Sequence, residues 1–306
     1  MTDNSAISGQ QLWEWSQQAK AEATRADISP AEVDWLLEEW AGLDRLSLRL
    51  GSFKDQPQVN LRLRWPEFLQ LWERRLKQRV PLQYLTGVAC WRHFGLKVSP
   101  GVLIPRPETE LIVDLVVASI RRQSQSETGS RPLQQGHWVD LGTGSGAIAL
   151  GLAEVLTEAS IHAVDCSREA MAIAQENAQN LGFGDRIQFY HGSWWEPLEH
   201  LRGRVSGMVS NPPYIPTGML STLQPEVALH EPHLALDGGE SGLGCIQHLV
   251  KTAPVYLHSG GVWLVEMMAG QGEQVVEMLN NEGCYTEIER IADLAGIERF
   301  VLAKRE

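Results

Sequence analysis

Residues 211–214, Asn-Pro-Pro-Tyr, combine an amide side chain, two prolines and an aromatic ring directly after a short apolar run. Successive prolines fix φ and donate no backbone hydrogen bond, so a strand that reaches residue 210 must end there. Asn211 Oδ1 and the Pro212 carbonyl can each accept one N–H, and the Tyr214 ring can cover a plane. The motif suits a planar group that carries an NH2, although a turn that merely ends a strand explains it equally well on its own.

A second candidate site is a glycine-rich segment between a predicted strand and a predicted helix. Glycines let the backbone turn tightly and approach a ligand closely, at the crevice beyond the strand ends of an α/β sheet. Asp165 ends the next predicted strand, where its carboxylate can accept hydrogen bonds from both hydroxyls of a ribose. Nucleoside binding is therefore predicted for Asp165 and for the loop Asp140, Leu141, Gly142, Thr143, Gly144, Ser145 and Gly146.

The spacing of these glycines favours one nucleoside cofactor over another. A dinucleotide site has the pattern G-x-G-x-x-G, whose third glycine allows the helix to pack closely on the strand. Here the pattern is G-x-G-x-G and it begins with Asp140, whose charge is unfavourable beside a pyrophosphate but suits a cationic ligand. S-adenosylmethionine carries an α-ammonium and a sulfonium group, so the segment favours this cofactor.

Strands and helices alternate through the second part of the chain, which is typical of a doubly wound, mostly parallel sheet. The last two strands are separated by a short turn without a helix, so we expect an antiparallel hairpin at the sheet edge. This agrees with the α/β, Rossmann-like, seven-stranded sheet of class I S-adenosylmethionine-dependent methyltransferases. Strands are predicted over 137–141, 161–165, 187–191, 207–210, 261–267, 285–291 and 298–303. Helices are predicted over 108–122, 147–158, 168–181, 242–258 and 271–281.

Three regions are expected along the chain. Residues 1–85 show helical periodicity and predict an N-terminal helical bundle, whereas 86–107 hold short β-prone runs and predict a β-hairpin linker. Residues 108–306 form the predicted methyltransferase domain, with a flexible loop predicted at 123–136. Seven of the eleven tryptophans lie in the first 91 residues, and either core packing or a partner-binding surface with the basic residues at 74–79 would account for them.

Composition argues against several classes of protein. Apolar residues make up 43% and charged residues 21% of the chain, and no run of 18 apolar residues occurs, so we predict neither disorder nor a membrane helix. The N-terminus lacks the basic start and apolar segment of a signal peptide, and the four cysteines form no C-x-x-C pair. We therefore expect a cytoplasmic protein without a metal site, a disulfide framework or a membrane partner.

The net charge of −12 is concentrated in the predicted catalytic part. Residues 1–85 hold 11 basic and 12 acidic side chains, whereas residues 86–306 hold 15 basic and 26 acidic ones. An acidic surface repels a phosphate backbone, so direct binding of nucleic acid is not expected.

Longer segments connect these motifs to a known family. The chain resembles the HemK/PrmC family of release factor glutamine methyltransferases over essentially its whole length, including the helical N-terminal region. The double-proline motif alone is shared with amino methyltransferases of nucleic acids, so the resemblance depends on the combination of segments. These are D-L-G-T-G-S-G at 140–146, S-N-P-P-Y-I-P at 210–216, P-L-Q-Y-L-T-G at 81–87, I-P-R-P-E-T-E at 104–110 and P-E-V-A-L-H-E-P-H-L-A-L-D-G-G at 225–239.

The resemblance implies which residues bind the cofactor. The loop 142–146 would hold the methionine part of S-adenosylmethionine, and Asp165 would hold the ribose. Trp194 would lie beside the adenine, with Trp195 as the alternative because the local register admits both. The chain departs from the family at Met268, where a glycine is common, and we attribute this exchange to strand packing.

The resemblance also implies the reaction, which is methylation of the side-chain nitrogen N5 of the glutamine in the Gly-Gly-Gln motif of peptide chain release factors. The substrate amide would be held by Asn211, Pro212, Pro213 and Tyr214. Catalysis would depend on Asn211, Pro212 and Tyr214, with Asn211 also contacting the cofactor. The helical domain would recognise the folded release factor, and the hairpin would set the domain geometry.

Other side chains near the motifs are assigned structural roles. His230 and His233 lack further ligands at regular spacing, so loop structure or substrate gating is preferred to a metal site. Glu226 and Glu231 are expected to order this long loop. Arg106 could either pair locally or meet the substrate.

Two other functions stay open at this point. Methyl transfer to an exocyclic amino group of adenine or guanine also requires a site for a planar NH2. A non-catalytic partner-binding module could retain a nucleoside pocket. The acidic charge argues against the first, and the intact Asn-Pro-Pro-Tyr motif argues against the second.

Overall fold

A computed structural model of the chain describes residues 5–126 and 132–306. Residues 1–4 of the N-terminus and residues 127–131 of the predicted loop lie outside the described residues. Within the described ranges no helix is long and apolar enough to cross a membrane. The chain divides into two compact units, Met1–Gly87 with Pro225–His230 and Val88–Gln224 with Glu231–Glu306.

The first unit is a bundle of short helices around buried leucine, valine and phenylalanine side chains. Its helices are α1 (Gly9–Arg25), α2 (Ala31–Ala41), α3 (Arg45–Leu50), α4 (Trp65–Gln78) and α5 (Leu82–Thr86). The Ser8 hydroxyl oxygen caps α1 by accepting a hydrogen bond from the Gln11 N–H at 3.2 Å. The strands β1 (Ala6–Ile7) and β2 (Val59–Asn60) form a short antiparallel pair that the pattern does not predict.

Tryptophan rings are part of this core. Trp72 is buried, and Trp15 packs edge-on against it with 6.0 Å between ring centroids. Trp15 also packs edge-on against Phe68 at 4.8 Å. Such aromatic pairs contribute about 0.5–1.5 kcal/mol beyond the area that they bury. Core packing therefore accounts for this group of rings.

The basic residues at 74–79 do not form a single exposed patch. The Arg75 side chain is buried and donates to Glu32 through Nε at 2.5 Å and through Nη2 at 2.9 Å. Its Nη1 donates to Glu226 at 2.7 Å. Glu226 lies in the helix Pro225–His230, so this ion-pair cluster fixes that helix within the first unit.

The second unit begins with a β-hairpin inside the predicted range. Its strands β3 (Val88–Trp91) and β4 (Phe94–Lys97) pair antiparallel. The Lys97 N–H donates to the side-chain oxygen of Asn177 at 2.7 Å, and the Asn177 amide donates to the Lys97 carbonyl at 3.0 Å. This two-way contact fixes the hairpin to a helix that covers the main sheet.

Seven strands form one sheet, which confirms the predicted fold class. They are β5 (His137–Leu141), β6 (Ser160–Asp165), β7 (Ile187–His191), β8 (Val205–Ser210), β9 (Leu257–Glu266), β10 (Tyr285–Ala292) and β11 (Glu298–Arg305). Their order is β10-β11-β9-β8-β5-β6-β7, with parallel pairing from β9 to β7. β11 is antiparallel to both neighbours, so the predicted edge hairpin is confirmed. The order reverses between β5 and β8, where open α/β sheets bind their ligands.

Helices cover both faces of this sheet. They are α6 (Leu111–Ser126), α7 (Ala147–Val155), α8 (Arg168–Asn180), α10 (Gly244–Tyr256) and α11 (Gly272–Glu282), with α9 (Pro225–His230) belonging to the first unit. Alternate residues of β9 point to opposite faces. Val262 and Leu264 join a core with α6 and α7, whereas Trp263 and Val265 join a core with α10 and α11. α6 extends four residues beyond its predicted end at residue 122, into the predicted loop.

Candidate active site

A cavity of about 330 Å³ lies at the carboxyl ends of β5, β6 and β8, wholly within the second unit. Its volume falls within the roughly 300–1,000 Å³ that is typical of sites for small ligands. Residues 142–145, Asp165, Trp194 and Asn211 all contribute to its wall. The fold therefore brings together predicted site residues from the ends of four strands, β5, β6, β7 and β8.

The glycine loop has a backbone conformation that residues other than glycine rarely adopt. Gly142, Gly144 and Gly146 have φ values of 78°, 55° and 85°, in the left-handed region where a Cβ is strained. A Cβ on Gly146 would also lie 3.2 Å from the Ala174 Cβ. Gly146 thus permits close packing of α7 against α8 behind the cavity wall, while residues 142–145 form the wall itself.

Asp140 lies beneath the loop and does not line the cavity. Its Oδ2 accepts hydrogen bonds from the Thr143 hydroxyl at 2.6 Å and from the Ala149 N–H at 3.1 Å. Burial raises the pKa of this carboxyl to about 7, against the opposing effect of those two hydrogen bonds. The structure thus uses Asp140 to fasten the loop to the start of α7, rather than placing it where it would touch a cationic ligand.

Asp165 ends β6 at the edge of the cavity. Its Oδ2 accepts the Gly144 N–H at 2.9 Å and its Oδ1 accepts the Ser167 N–H at 2.8 Å. Burial raises the pKa of this carboxyl, whereas these hydrogen bonds lower it. Each oxygen retains a further lone pair, so the carboxylate is rigidly held and still able to accept two hydroxyl groups.

The two adjacent tryptophans occupy different environments. Trp194 has φ of 48° and lines the cavity, where its ring would lie 3.9 Å from a Cβ added to Gly142. Trp195 is only 3% exposed and stacks on Tyr256, with 4.3 Å between ring centroids and 8° between planes. Of the two candidates, Trp194 is therefore the one placed to lie beside a ligand.

The Asn-Pro-Pro-Tyr turn follows β8 directly. Asn211 and Pro213 line the cavity, whereas Pro212 is buried and Tyr214 is half-buried behind them. The Tyr214 carbonyl accepts a hydrogen bond from the Gln271 side chain at 3.0 Å. A Cβ at Gly238 would lie 2.8 Å from the Pro213 oxygen, so glycine is required there by the close approach of two chain segments.

A chain of hydrogen bonds connects the two functional ends of this turn. Asn211 Nδ2 donates to Thr109 Oγ1 at 3.1 Å, and that hydroxyl donates to Glu266 Oε2 at 2.6 Å. The Tyr214 hydroxyl donates to Glu266 Oε1 at 3.1 Å. Burial raises the pKa of Glu266 to about 7 and also raises the pKa of Tyr214.

Neither Thr109 nor Glu266 is among the site residues that the sequence motifs predict. Their separation along the chain hides the contact, since the two positions are 157 apart in sequence. Two signals could have suggested them. Thr109 lies within the family segment 104–110, and Glu266 is an acid at the end of a long apolar strand beside β8.

A buried carboxylate also orders the far wall of the cavity. Glu231 accepts hydrogen bonds from Arg106 Nη2 at 2.7 Å and from the Ile104 N–H at 3.3 Å. Pro232 and Leu234 follow it and line the cavity, as does Arg106 itself. The structure thus gives Arg106 a local partner and leaves its side chain at the cavity wall.

Metal ligation receives no support from the histidines of this segment. His230 Nε2 lies 2.7 Å from the Gln78 carbonyl oxygen, an interaction within the first unit. Across the two described ranges, no cluster of three histidine, cysteine or acidic side chains could hold a metal ion. The four cysteines are all free.

Comparisons with known proteins agree with this geometry. A model of the methyltransferase small domain family matches residues 126–228. The release factor glutamine methyltransferase of Synechocystis sp. is 52% identical over 298 residues, which are 97% of this chain and 97% of the relative. That of Thermosynechococcus vestitus is 46% identical and covers 96% of this chain and 97% of its own length.

The chain belongs to the release factor glutamine methyltransferase family. Membership confirms the resemblance inferred from the motifs, and the match to these methyltransferases includes both compact units. Among solved structures, the hMettl16 catalytic domain in complex with a MAT2A 3′UTR hairpin is similar, with a TM-score of 0.53 over 81% of this chain and 83% of that one. At 13% identity that likeness supports the methyltransferase fold alone.

Proposed function

We propose that this protein transfers a methyl group from S-adenosylmethionine to the side-chain nitrogen N5 of the glutamine in the Gly-Gly-Gln motif of peptide chain release factors. The observation that carries the chemistry is the orientation of Asn211, whose NH2 end is bonded to Thr109. Its oxygen is therefore the end available to accept an N–H of a substrate amide. The choice of release factors as partner is supported by relatives named for that reaction.

The cavity residues fit S-adenosylmethionine. Asp165 keeps lone pairs for two ribose hydroxyls, and the Trp194 ring lines the cavity where an adenine can stack. The backbone of residues 142–145 forms the wall next to them and would accommodate the methionine part. The bound cofactor supplies a methyl group on a positively charged sulfur, which is a strong electrophile.

The turn then has to orient a weak nucleophile. The lone pair of an amide nitrogen is conjugated with its carbonyl, so alignment matters more than proton removal. In this proposal Asn211 Oδ1 accepts one N–H of the glutamine at the cavity wall. Although neither residue lines the cavity itself, the Pro212 carbonyl would accept the other N–H and the Tyr214 ring would pack against the plane of the amide. Such positioning can supply about 7–11 kcal/mol of the barrier. After methyl transfer the positively charged amide nitrogen loses one proton to water, so no general base is assigned.

Each region of the chain has its own role in this reaction. The helical residues 1–85 recognise the folded release factor, the hairpin region 86–107 sets the domain geometry, and residues 108–306 carry the reaction. A glutamine at the tip of a loop can enter a narrow cavity without unfolding of its protein. The acidic balance of residues 86–306 argues against direct binding of nucleic acid, because it repels a phosphate backbone. In this proposal the protein acts in the cytoplasm and has no membrane partner.

Methyl-labelled cofactor tests this assignment. The purified protein is incubated with the label and with a release factor, with a release factor whose Gly-Gly-Gln glutamine is replaced by alanine, or with RNA and DNA. We expect label only in the unmodified release factor. Label that appears in nucleic acid alone would establish the rival reaction on an exocyclic amino group, and a complete lack of transfer would favour a non-catalytic module.

A further inference from the structure

The buried pair Thr109 and Glu266 touches the Asn-Pro-Pro-Tyr turn at both ends. We propose that Thr109 and Glu266 are positioning residues that fix which end of the Asn211 amide faces the substrate, and that the charge on Glu266 sets this polarity. The inference rests on the proposed function, because it concerns the same methyl acceptor.

The polarity follows from counting donors and acceptors. An ionised carboxylate only accepts hydrogen bonds, and Glu266 accepts one at each oxygen, from Thr109 at 2.6 Å and from Tyr214 at 3.1 Å. The single hydroxyl proton of Thr109 is thereby committed to Glu266. Thr109 Oγ1 can then only accept from Asn211, so it selects the NH2 end of that amide and leaves Oδ1 for the substrate.

Burial makes this selection strict. Glu266 is 1% exposed and does not line the cavity, so water has little access to its carboxylate. Thr109 is 4% exposed and contributes to the cavity wall, where a bound substrate would cover it. Rotation of the Asn211 amide by half a turn would place its oxygen against the Thr109 oxygen, with no proton between them. The substrate would then meet an NH2 donor where its own NH2 requires an acceptor.

Protonation of Glu266 would weaken the arrangement. A protonated carboxyl can itself donate a hydrogen bond to Thr109 Oγ1, which frees the Thr109 hydroxyl proton to donate to Oδ1 of a flipped Asn211 amide. Burial raises the pKa of Glu266 to about 7, with opposing contributions from Thr109, Tyr214 and Arg299, and a further increase from Glu108. The ionised form therefore prevails only above that pH, and methyl transfer should become faster as pH rises through about 7.

Matched substitutions test the polarity. Glu266→Gln keeps the shape but turns one acceptor into a donor, and Thr109→Val removes only the hydroxyl. We expect both variants to lower kcat for the release factor at least tenfold, while the cofactor Kd changes less than threefold. Thr109→Ser restores the hydroxyl and should recover most of the kcat that Thr109→Val loses. Exposed control variants Glu277→Gln and Thr286→Val should match the wild type.

The pH profile adds a readout that a purely structural role would not change. Wild-type kcat should rise through about pH 7, whereas Glu266→Gln should show no rise in that range. A Glu266→Gln protein with wild-type kcat and pH profile would overturn the inference, and so would a loss in Thr109→Val that Thr109→Ser does not recover. If Glu266→Gln does not fold, the Thr109 variants decide.

The same assay separates this inference from the proposed function. If the wild type methylates the release factor and the Glu266→Gln and Thr109→Val variants do so equally well, the positioning role is contradicted and the proposed function stands. An inactive wild-type protein contradicts the proposed function and removes the positioning role with it. Cofactor binding to each variant, measured by calorimetry, shows that the site is folded in either case.

Discussion

The side-chain amide of Asn211 has one donating and one accepting end, and its neighbours decide which end the cavity receives. Thr109 takes the NH2 end, and Glu266 holds Thr109 in the orientation that requires it. The role of Asn211 as a hydrogen-bond acceptor could be predicted from the motif, but the orientation of its amide could not. It depends on a buried acid that becomes adjacent only when β9 pairs with β8.

Asn211→Ala should therefore remove most turnover. The variant loses the acceptor for the substrate N–H, and loss of one such preorganised group typically lowers kcat by about 10²–10³-fold. Cofactor affinity should stay nearly intact, because Asp165 and Trp194 still line the cavity. Steady-state kinetics with a release factor, together with cofactor titration, measure the two effects, and an equal loss of cofactor affinity would count against this role.

The two adjacent tryptophans should respond in opposite ways to truncation. Trp195→Ala empties a stacked core position, so the free energy of unfolding should fall by about 3–5 kcal/mol. Trp194→Ala removes a cavity wall and should weaken cofactor binding, with a smaller loss of stability. Urea unfolding and calorimetric titration of both variants distinguish these effects. If cofactor binding weakened in a folded Trp195→Ala protein but not in Trp194→Ala, then Trp195 and not Trp194 would be the residue beside the cofactor.

Elements with a regular hydrophobic period were the most predictable part of the fold. The strands at 137–141 and 187–191 have their predicted bounds, because apolar runs between polar turns leave few alternatives. β9 begins at Leu257, four residues earlier than predicted. Its first five residues include Ser259 and two glycines, which are typical of turns and hide the start of the strand. The pair β1 and β2 could not be predicted, because two-residue strands carry no period.

The last residue of the glycine loop, Gly146, is expected to tolerate substitution poorly. Gly146 and Gly182 both have positive φ, 85° and 80°, but only a Cβ on Gly146 would meet a neighbour, at 3.2 Å from Ala174. Gly182→Ala should lower the free energy of unfolding by about 1–2 kcal/mol through backbone strain alone. Gly146→Ala should lower it further and weaken cofactor binding. Equal stability of the two variants would refute close packing at Gly146.

At the scale of the whole molecule, motif segments showed the family and the fold, whereas long-range assignments required the structure. The segment 225–239 was read as one loop, yet its first part is helix α9, which belongs with the N-terminal unit. Arg75 and Glu226 meet across 151 positions of sequence. No local pattern could reveal that Arg75, in a run of basic residues, is buried while Lys77 is exposed.

Arg75→Ala should destabilise the first unit strongly. It leaves the Glu32 and Glu226 carboxylates without their shared partner, and breaking a buried ion pair costs about 3–5 kcal/mol. Lys77→Ala removes an exposed pair with Glu73 on the same helix and should cost less than about 1 kcal/mol. Chemical unfolding of the full chain compares the two. Similar small losses would show that the Arg75 cluster contributes little to stability.

The central claim is that the protein methylates one glutamine side chain of a release factor, which it binds in this cavity. Fragment mass spectrometry of the release factor after incubation with the protein and S-adenosylmethionine tests it most directly. We predict one additional methyl group, located on the glutamine of the Gly-Gly-Gln motif, and no addition when the Asn211→Ala variant replaces the wild type. A methyl group on another residue, or equal methylation by both proteins, would contradict the account.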